Sequence, residues 1–170
     1  MKKKPQAKKV SHLDASGRPR MVDVGDKAVS DRTALAKGRI RLSQAAWKAL
    51  QNPLGTGKGD PLQVAQVAAI QAAKRTGEFI PLAHPLPLRG IELSWKKRAR
   101  ARIIEVTVKV RTIGPTGVEM EALTAVSAAL LTVYDMLKAV DRGMVVGPIW
   151  LSRKEGGQSG LCRFEDPPLT

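Results

Sequence analysis

The 170-residue sequence is poor in the residues that form disulfides or bind zinc, with a single cysteine, Cys162, and two histidines. One cysteine cannot form a disulfide within the chain, and these three residues are too few for a Cys/His zinc cage. The sequence therefore predicts no such metal site. The lack of a disulfide framework also indicates a reducing compartment, which we expect to be the cytosol.

Long apolar segments are also missing. The longest uncharged run, residues 122–134, is too short to cross a bilayer, and the lysine-rich start lacks the apolar segment of a signal peptide. We therefore expect a soluble protein without membrane contacts. Hydrophobic residues make up 43% of the chain, enough for a buried core, so the length predicts one compact domain with tails.

Acidic residues are scarce relative to basic ones. Lys and Arg number 29 against 15 Asp and Glu, and the net charge of +14 attracts anions. The basic cluster at 96–102 is typical either of a solvated hairpin turn or of a contact with RNA or DNA. Aromatic residues form only 4% of the chain, and none match the strand motif on which RNA recognition modules stack bases. A basic nucleic-acid-binding module remains the alternative function.

Hydrophobic periodicity and turn residues divide the chain into alternating elements. Strands are expected at 38–42, 89–96, 102–112 and 145–152. Helices are expected at 44–51, 61–76 and 118–142, the last two ended by Gly77 and Gly143. Asp60 is the predicted N-cap of the second helix, with Pro61 at its first position. In the clearest strand, Ile104, Val106, Val108 and Val110 lie on one face. This order is typical of an α+β, ferredoxin-like (split βαβ) fold, an antiparallel sheet with helices packed on one face.

Two glycine-rich segments are candidates for anion binding. Residues 55–59 contain Lys58 but do not match a phosphate loop, because Gly59 stands where Ser or Thr holds the metal. Backbone amides, Lys58 and the helix that follows suit an anion, and a flexible loop is the alternative. Residues 154–160, with Lys154, are typical of either a mobile tail or a lid that orders on an anionic ligand.

Three further side chains are candidates around the longest helix. His84 lies in an extended segment between prolines, where it either packs or exchanges protons and hydrogen bonds with a substrate. Glu119 and Glu121 open the helix, where carboxylates also serve as plain partners of the helix dipole.

Asp135 and Lys138 interrupt the apolar stretch of the same helix. They share a helix face, and we expect them to form a buried acid/base pair facing a cleft or an interface. Glu121 precedes Asp135 by fourteen residues, which places them within about 40° around the helix but about 21 Å apart along its axis. One subunit cannot easily bring both helix ends into one site, so we predict an oligomer in which a neighbouring chain completes it.

Several of these segments together resemble a known family. The matching stretches are residues 21–24, 70–76, 80–82, 84–86, 116–124 and 134–139. In this order they closely resemble molybdenum cofactor biosynthesis protein C, the family of cyclic pyranopterin monophosphate synthases. The resemblance implies one ferredoxin-like catalytic domain at 11–160, between a basic extension at 1–10 and a C-terminal tail at 161–170.

The family's activity is implied with the resemblance. It is the conversion of 3′,8-cyclo-7,8-dihydroguanosine 5′-triphosphate to cyclic pyranopterin monophosphate with release of pyrophosphate, a lyase reaction. Asp135 and Lys138 match the catalytic pair. The residues that match the substrate pocket are Lys58, Leu82, Ala83, His84, Glu119, Met120, Glu121 and Lys154, with Arg32 in a less well matched segment.

The resemblance further implies a homohexamer, a trimer of dimers with sites at the dimer interface, and no nucleic-acid or membrane partner. No cofactor is expected to be required, although Glu119 and Glu121 are chemically suited to Mg²⁺. Two residues depart from the family pattern. Ala83 replaces the usual cysteine before the family histidine, and Gln158 replaces a lysine, which we expect to weaken phosphate contacts.

Overall fold

A computed structural model describes residues 13–14, 16–52 and 59–169. The expected basic extension at 1–10 lies outside these residues. The helices are α1 (Gln44–Leu50), α2 (Pro61–Lys74), α3 (Thr76–Phe79) and α4 (Glu119–Leu137). The strands are β1 (Ser30–Arg41), β2 (Leu88–Arg98), β3 (Ile103–Gly114), β4 (Val145–Glu155) and β5 (Cys162–Arg163).

The five strands form one sheet in the order β2-β3-β1-β4-β5, and every neighbouring pair is antiparallel. The central strand β1 pairs along its whole length with β3, from Ser30 opposite Gly114 to Arg41 opposite Ile103. β3 therefore lies between β1 and β2, which is the split βαβ arrangement. The predicted α+β, ferredoxin-like fold is confirmed.

The core lies between one face of the sheet and the two long helices. α4 packs on β1, β3 and β4, and α2 packs on α4. The predicted apolar face of β3 is confirmed, since Ile104, Val106, Val108 and Val110 are fully buried. At Gly38 of β1 a Cβ atom would lie only 2.5 Å from the Val126 Cγ1 atom. The central strand therefore lets α4 approach closely because this position has no side chain.

α4 is long and apolar enough, by length and composition alone, to cross a bilayer. In this fold it is the central core helix instead. Its face toward the sheet is fully buried at residues spaced three and four apart, as expected for a helix that packs on one side. These residues are Ala122, Ala125, Val126, Ala129, Leu130, Val133 and Leu137.

The start of α2 agrees with the residues predicted to cap it, whereas its end does not. Asp60 is its N-cap and accepts a hydrogen bond from the Leu62 amide at 2.8 Å, with Pro61 at the first helical position, as predicted. The predicted end at Gly77 is wrong. α2 ends at Lys74, where the Thr76 hydroxyl donates to the Ala73 carbonyl at 3.0 Å, and Gly77 lies within the single turn of α3.

The predicted end of α4 at 142, with Gly143 as its terminating residue, is also wrong. α4 ends at Leu137, five residues earlier than the pattern indicates. The Asp141 carboxylate accepts hydrogen bonds from the amides of Gly143 at 2.7 Å and Ser43 at 3.0 Å. These side-chain to backbone bonds stabilise a turn in place of another helical turn.

The second face of the sheet carries a buried ion pair. The Arg39 Nε atom lies 2.8 Å from Glu105 Oε2, and both side chains are almost fully buried. The residues after β5, for which the sequence predicts no element, lie on this face. The Asp166 carboxylate accepts from Lys37 Nζ at 2.6 Å, and the carbonyls of Pro167 and Pro168 accept from Arg39 Nη1 at 2.9 Å.

The basic cluster at 96–102 forms the end of β2 and the turn into β3. Arg98 lies 3.2 Å from Glu105, and Arg102 adopts a positive φ of 51° in the turn. Lys96, Lys97 and Arg100 are exposed. The hairpin predicted for this cluster is confirmed.

Candidate active site

The N-terminal end of α4 borders a cavity of about 270 Å³, which we call the first cavity. Its walls come from the start of α4, from the proline-rich segment between α3 and β2, and from the chain before β1. Six of the predicted pocket residues line it: Leu82, Ala83, His84, Glu119, Met120 and Glu121. The sequence motifs that are far apart along the chain therefore meet at this end of the helix.

A second cavity of about 540 Å³ adjoins the first and shares Lys27, Thr116, Gly117 and Glu119 with it. It is bounded by the start of β1, the loop between β3 and α4, and the Gly-rich loop after β4 (residues 156–160). The predicted residues Arg32 and Lys154 line it, together with Gln158, which departs from the family pattern. Lys58 lies outside the described residues.

His84 is fixed by the segment at 21–24. Its Nε2 atom lies 2.9 Å from the carbonyl oxygen of Val22. Because a carbonyl can only accept, Nε2 must carry the hydrogen, which leaves the lone pair on Nδ1 when the ring is neutral. His84 is thus oriented to accept a proton or a hydrogen bond through Nδ1.

Glu121 is the most buried polar group of the first cavity, with only 4% of its surface exposed. It has no ion-pair partner among the described residues. Burial raises its pKa above the ordinary value, and the negative charge of Glu119 adds to this. Glu121 is therefore suited to keep its proton at a pH where an exposed glutamate is charged, and to donate it in a hydrogen bond.

Glu119 and Lys154 form an ion pair between the two cavities, with 3.0 Å between Lys154 Nζ and Glu119 Oε1. About a third of each side chain is exposed, so the pair is neither fully screened by water nor locked in the core. An anion that enters the second cavity competes with Glu119 for the ammonium group.

Asp135 and Lys138 lie at the opposite end of α4. Lys138 Nζ and Asp135 Oδ1 are 2.6 Å apart, but the side chains are 54% exposed for Asp135 and 51% for Lys138. The expectation of a buried pair is wrong for the single chain, because about half of each side chain is exposed. Neither residue lines the two cavities.

Sequence reasoning missed Lys27, which lines both cavities. It has no ion-pair partner among the described residues, so its charge is available to a ligand. The available signal was its position three residues after the 21–24 motif, since that motif holds His84 through Val22.

No group of three or more His, Cys, Asp or Glu side chains suited to a metal ion occurs in the described part of the chain. Glu119 is already paired with Lys154, and the raised pKa of Glu121 makes it a poor ligand because metals bind the ionised carboxylate. These two carboxylates therefore do not form a Mg²⁺ site as they stand.

The fold and the cavities define a ferredoxin-like α+β protein with a polar, cation-lined site at one helix end. The MoaC family matches residues 21–157. The chain therefore belongs to the MoaC family, and the family expected from the sequence motifs is confirmed.

Three relatives illustrate the similarity, and each is named cyclic pyranopterin monophosphate synthase. The protein of Parvibaculum lavamentivorans is 53% identical over 154 residues, which cover 91% of this chain and 96% of the relative. That of Thermomicrobium roseum is 50% identical, covering 92% and 94%. That of Bacillus pumilus is 47% identical, covering 88% and 93%. These similarities do not favour the nucleic-acid-binding alternative.

Proposed function

We propose that the protein is a cyclic pyranopterin monophosphate synthase of molybdenum cofactor biosynthesis. It acts as a cytoplasmic lyase that converts 3′,8-cyclo-7,8-dihydroguanosine 5′-triphosphate to cyclic pyranopterin monophosphate and releases pyrophosphate. One observation carries the proposal beyond family membership. Of the nine residues expected to bind substrate, six line the first cavity and two more line the second.

The two cavities suit the two parts of this substrate. The triphosphate is assigned to the second cavity, where Lys154 and Arg32 are placed to meet it, and Lys58 is assigned the same task. Binding of phosphate oxygens draws Lys154 away from Glu119. The ring system is assigned to the first cavity, where Leu82, Ala83 and Met120 supply contact area and His84, Glu119 and Glu121 supply hydrogen bonds.

The chemistry requires proton transfers as the purine ring opens and the pterin forms. We assign these to Asp135 and Lys138, with His84 and Glu121 as further groups able to hold a proton. α4 has 19 residues and is about 28 Å long at 1.5 Å per residue. The catalytic pair must therefore come from a neighbouring subunit, in agreement with a homohexamer built as a trimer of dimers with sites at the dimer interface.

The proposed mechanism requires no resident cofactor, because its steps move protons and not electrons. It also requires no thiol at position 83, where Ala83 lines the first cavity. Gln158 lines the second cavity without a charge, and Lys27, which lines the same cavity, is able to replace the missing cation.

Turnover of the cyclised dihydroguanosine triphosphate tests the proposal, with pyrophosphate and the pterin product followed separately. The wild-type protein should form both, whereas Asp135→Asn and Lys138→Ala should form neither. Lys48→Ala, which removes an exposed lysine of α1, should keep the wild-type rate and serves as the matched control.

Absence of product from a folded wild-type oligomer would contradict the proposed function. Tight RNA binding that weakens steeply with added salt would then support the nucleic-acid alternative. Near-normal rates in both Asp135→Asn and Lys138→Ala would instead contradict the assignment of the catalytic pair.

A further inference from the structure

Arg32 of β1 donates hydrogen bonds to two main-chain carbonyls, and it has no carboxylate partner among the residues that the structure describes. Its Nε atom lies 3.3 Å from the Gly114 carbonyl oxygen, and its Nη2 atom lies 3.1 Å from that of Pro115. These two carbonyls end β3 and begin the loop that leads into α4. One guanidinium group therefore holds the backbone of the loop that forms a wall of both cavities.

The Gly-rich loop after β4 lies against the same guanidinium. Gly157 has a φ of +65°, and a Cβ atom there would collide with Arg32 Nη1. Gly156 has a φ of +105°, and a Cβ atom there would collide with the carbonyl oxygen of Asp31. The positive φ favours glycine at both positions. At Gly156 the backbone of β1 also leaves no room for a Cβ atom, whereas at Gly157 the obstacle is the Arg32 side chain.

The two loops that meet at Arg32 are the walls of the second cavity. Thr116 and Gly117 line one side, and Gly157, Gln158 and Ser159 line the other. The first loop runs directly into Glu119, whose partner is Lys154. Movement of either loop therefore changes the width of the cavity and the positions of the cationic side chains that line it.

We propose that Arg32, in addition to the direct contact assigned to it above, is a positioning residue, which fixes the 114–117 loop and the Gly156–Gly157 loop as the two walls that receive the anionic part of the substrate. Arginine is required because its planar group offers several donors in fixed directions, whereas the ammonium of a lysine is a single point charge. The identity of the anionic ligand rests on the proposed function, but the fixing of the two loops does not.

Hydrogen exchange of the unliganded protein tests this without any turnover. Arg32→Lys and Arg32→Ala should each speed amide exchange at least tenfold at Gly114, Thr116 and Gly117, the residues of the first loop that carry an amide hydrogen, and in residues 156–160. Lys154→Ala removes a cation of the same cavity that contacts neither loop carbonyl, and it should leave the exchange of the Gly-rich loop unchanged. Wild-type exchange in both loops of folded Arg32→Ala would overturn the proposal.

A pair of glycine variants separates the collision with Arg32 from backbone strain. Gly160 also has a positive φ, +57°, but nothing lies within 4 Å of a Cβ atom there. Gly157→Ala should therefore weaken binding of inorganic triphosphate, measured by calorimetry, about tenfold more than Gly160→Ala does. In an Arg32→Ala background this difference should disappear, because the group that collides is gone.

Kinetics give a further separation if the proposed function holds. Arg32→Lys should raise KM about tenfold and lower kcat less than threefold, because it loosens the cavity for the anionic part, whereas His84 is still held by the Val22 carbonyl and Glu121 by helix α4. In the Arg32→Ala/Gly157→Ala double variant, a fold loss of kcat/KM equal to the product of the losses in the two single variants would show that the two residues act independently. Such independence would mean that Arg32 acts only as a direct substrate ligand, which contradicts the proposal. Failure of wild-type turnover would reject the proposed function alone, since exchange and triphosphate binding still decide the role of Arg32.

Discussion

The two ends of α4 carry similar residue types in opposite surroundings. At the N-terminal end, Glu119 pairs with Lys154 and Glu121 is buried beside His84, so the chain itself surrounds these groups. At the C-terminal end, Asp135 and Lys138 are about half exposed. One chain therefore assembles the part of the site assigned to binding and leaves the part assigned to proton transfer open to a partner.

Subunit mixing is the strongest test of this division. His84→Ala and Lys138→Ala should each lower turnover at least about 100-fold, because each removes a proposed proton-transfer group. If sites are shared across a dimer, half of the randomly paired dimers are hybrids with one intact site, so the mixture should regain about a quarter of the wild-type rate.

Light scattering and mass spectrometry of the mixture supply the control, since they show that hybrids have formed. Hybrids without recovered pyrophosphate release would contradict a site shared across the dimer interface. Full activity of a monomer would do the same.

The middle of α4 should tolerate change less than its exposed end. Gly38→Ala should lower the free energy of unfolding by about 1–3 kcal/mol, since the new Cβ would press on Val126 and Leu130. Thermal unfolding measures this. Gly90→Ala, in β2 with nothing within 4 Å of the new Cβ, is the matched control and should change stability much less.

Glu121, at the N-terminal end of α4, should make the free energy of unfolding depend on pH. Its pKa is raised by burial, so the folded protein holds this proton more tightly than the unfolded chain. The free energy of unfolding should then fall as pH rises from the ordinary value of 4.5 toward the raised pKa. Glu121→Gln stays neutral, so its stability relative to the wild type should increase over the same range.

Denaturant unfolding at several pH values measures the effect. Glu92→Gln, an exposed glutamate of β2, serves as control and should follow the wild type. A Glu121→Gln stability difference that is independent of pH would contradict a raised pKa.

The exposed end should show the smallest effect on stability. Asp135→Asn should change the free energy of unfolding by no more than about 0.5 kcal/mol, because an exposed ion pair contributes little. Thermal unfolding of the same sample used for turnover checks this. A cost of several kcal/mol would mean that Asp135 is buried in the assembled protein, within the chain or at the dimer interface.

The elements that the sequence predicted correctly are those set by local pattern. Alternation in Ile104–Val110 and the Asp60–Pro61 helix start depend on neighbours along the chain, and both are confirmed. The end of α4 depends on Asp141 reaching the Ser43 amide, nearly a hundred residues away in sequence. Apolar periodicity continues past that point and carries no sign of such a contact.

The candidate site was also predicted only in part from the sequence. Motifs identified the residues around the two cavities, but not that Val22 orients His84 or that Lys27 lies beside both. Asp135 and Lys138 were expected to be buried because they interrupt an apolar stretch. That stretch is buried on the side that faces the sheet, whereas the pair projects from another side of the helix.

The contacts of Asp166, Pro167 and Pro168 matter for anyone preparing the protein. The family match ends at residue 157, and a chain trimmed there would lack the carbonyls that hold Arg39 and the carboxylate that holds Lys37. A shortened form suitable for crystallisation should therefore extend through residue 168.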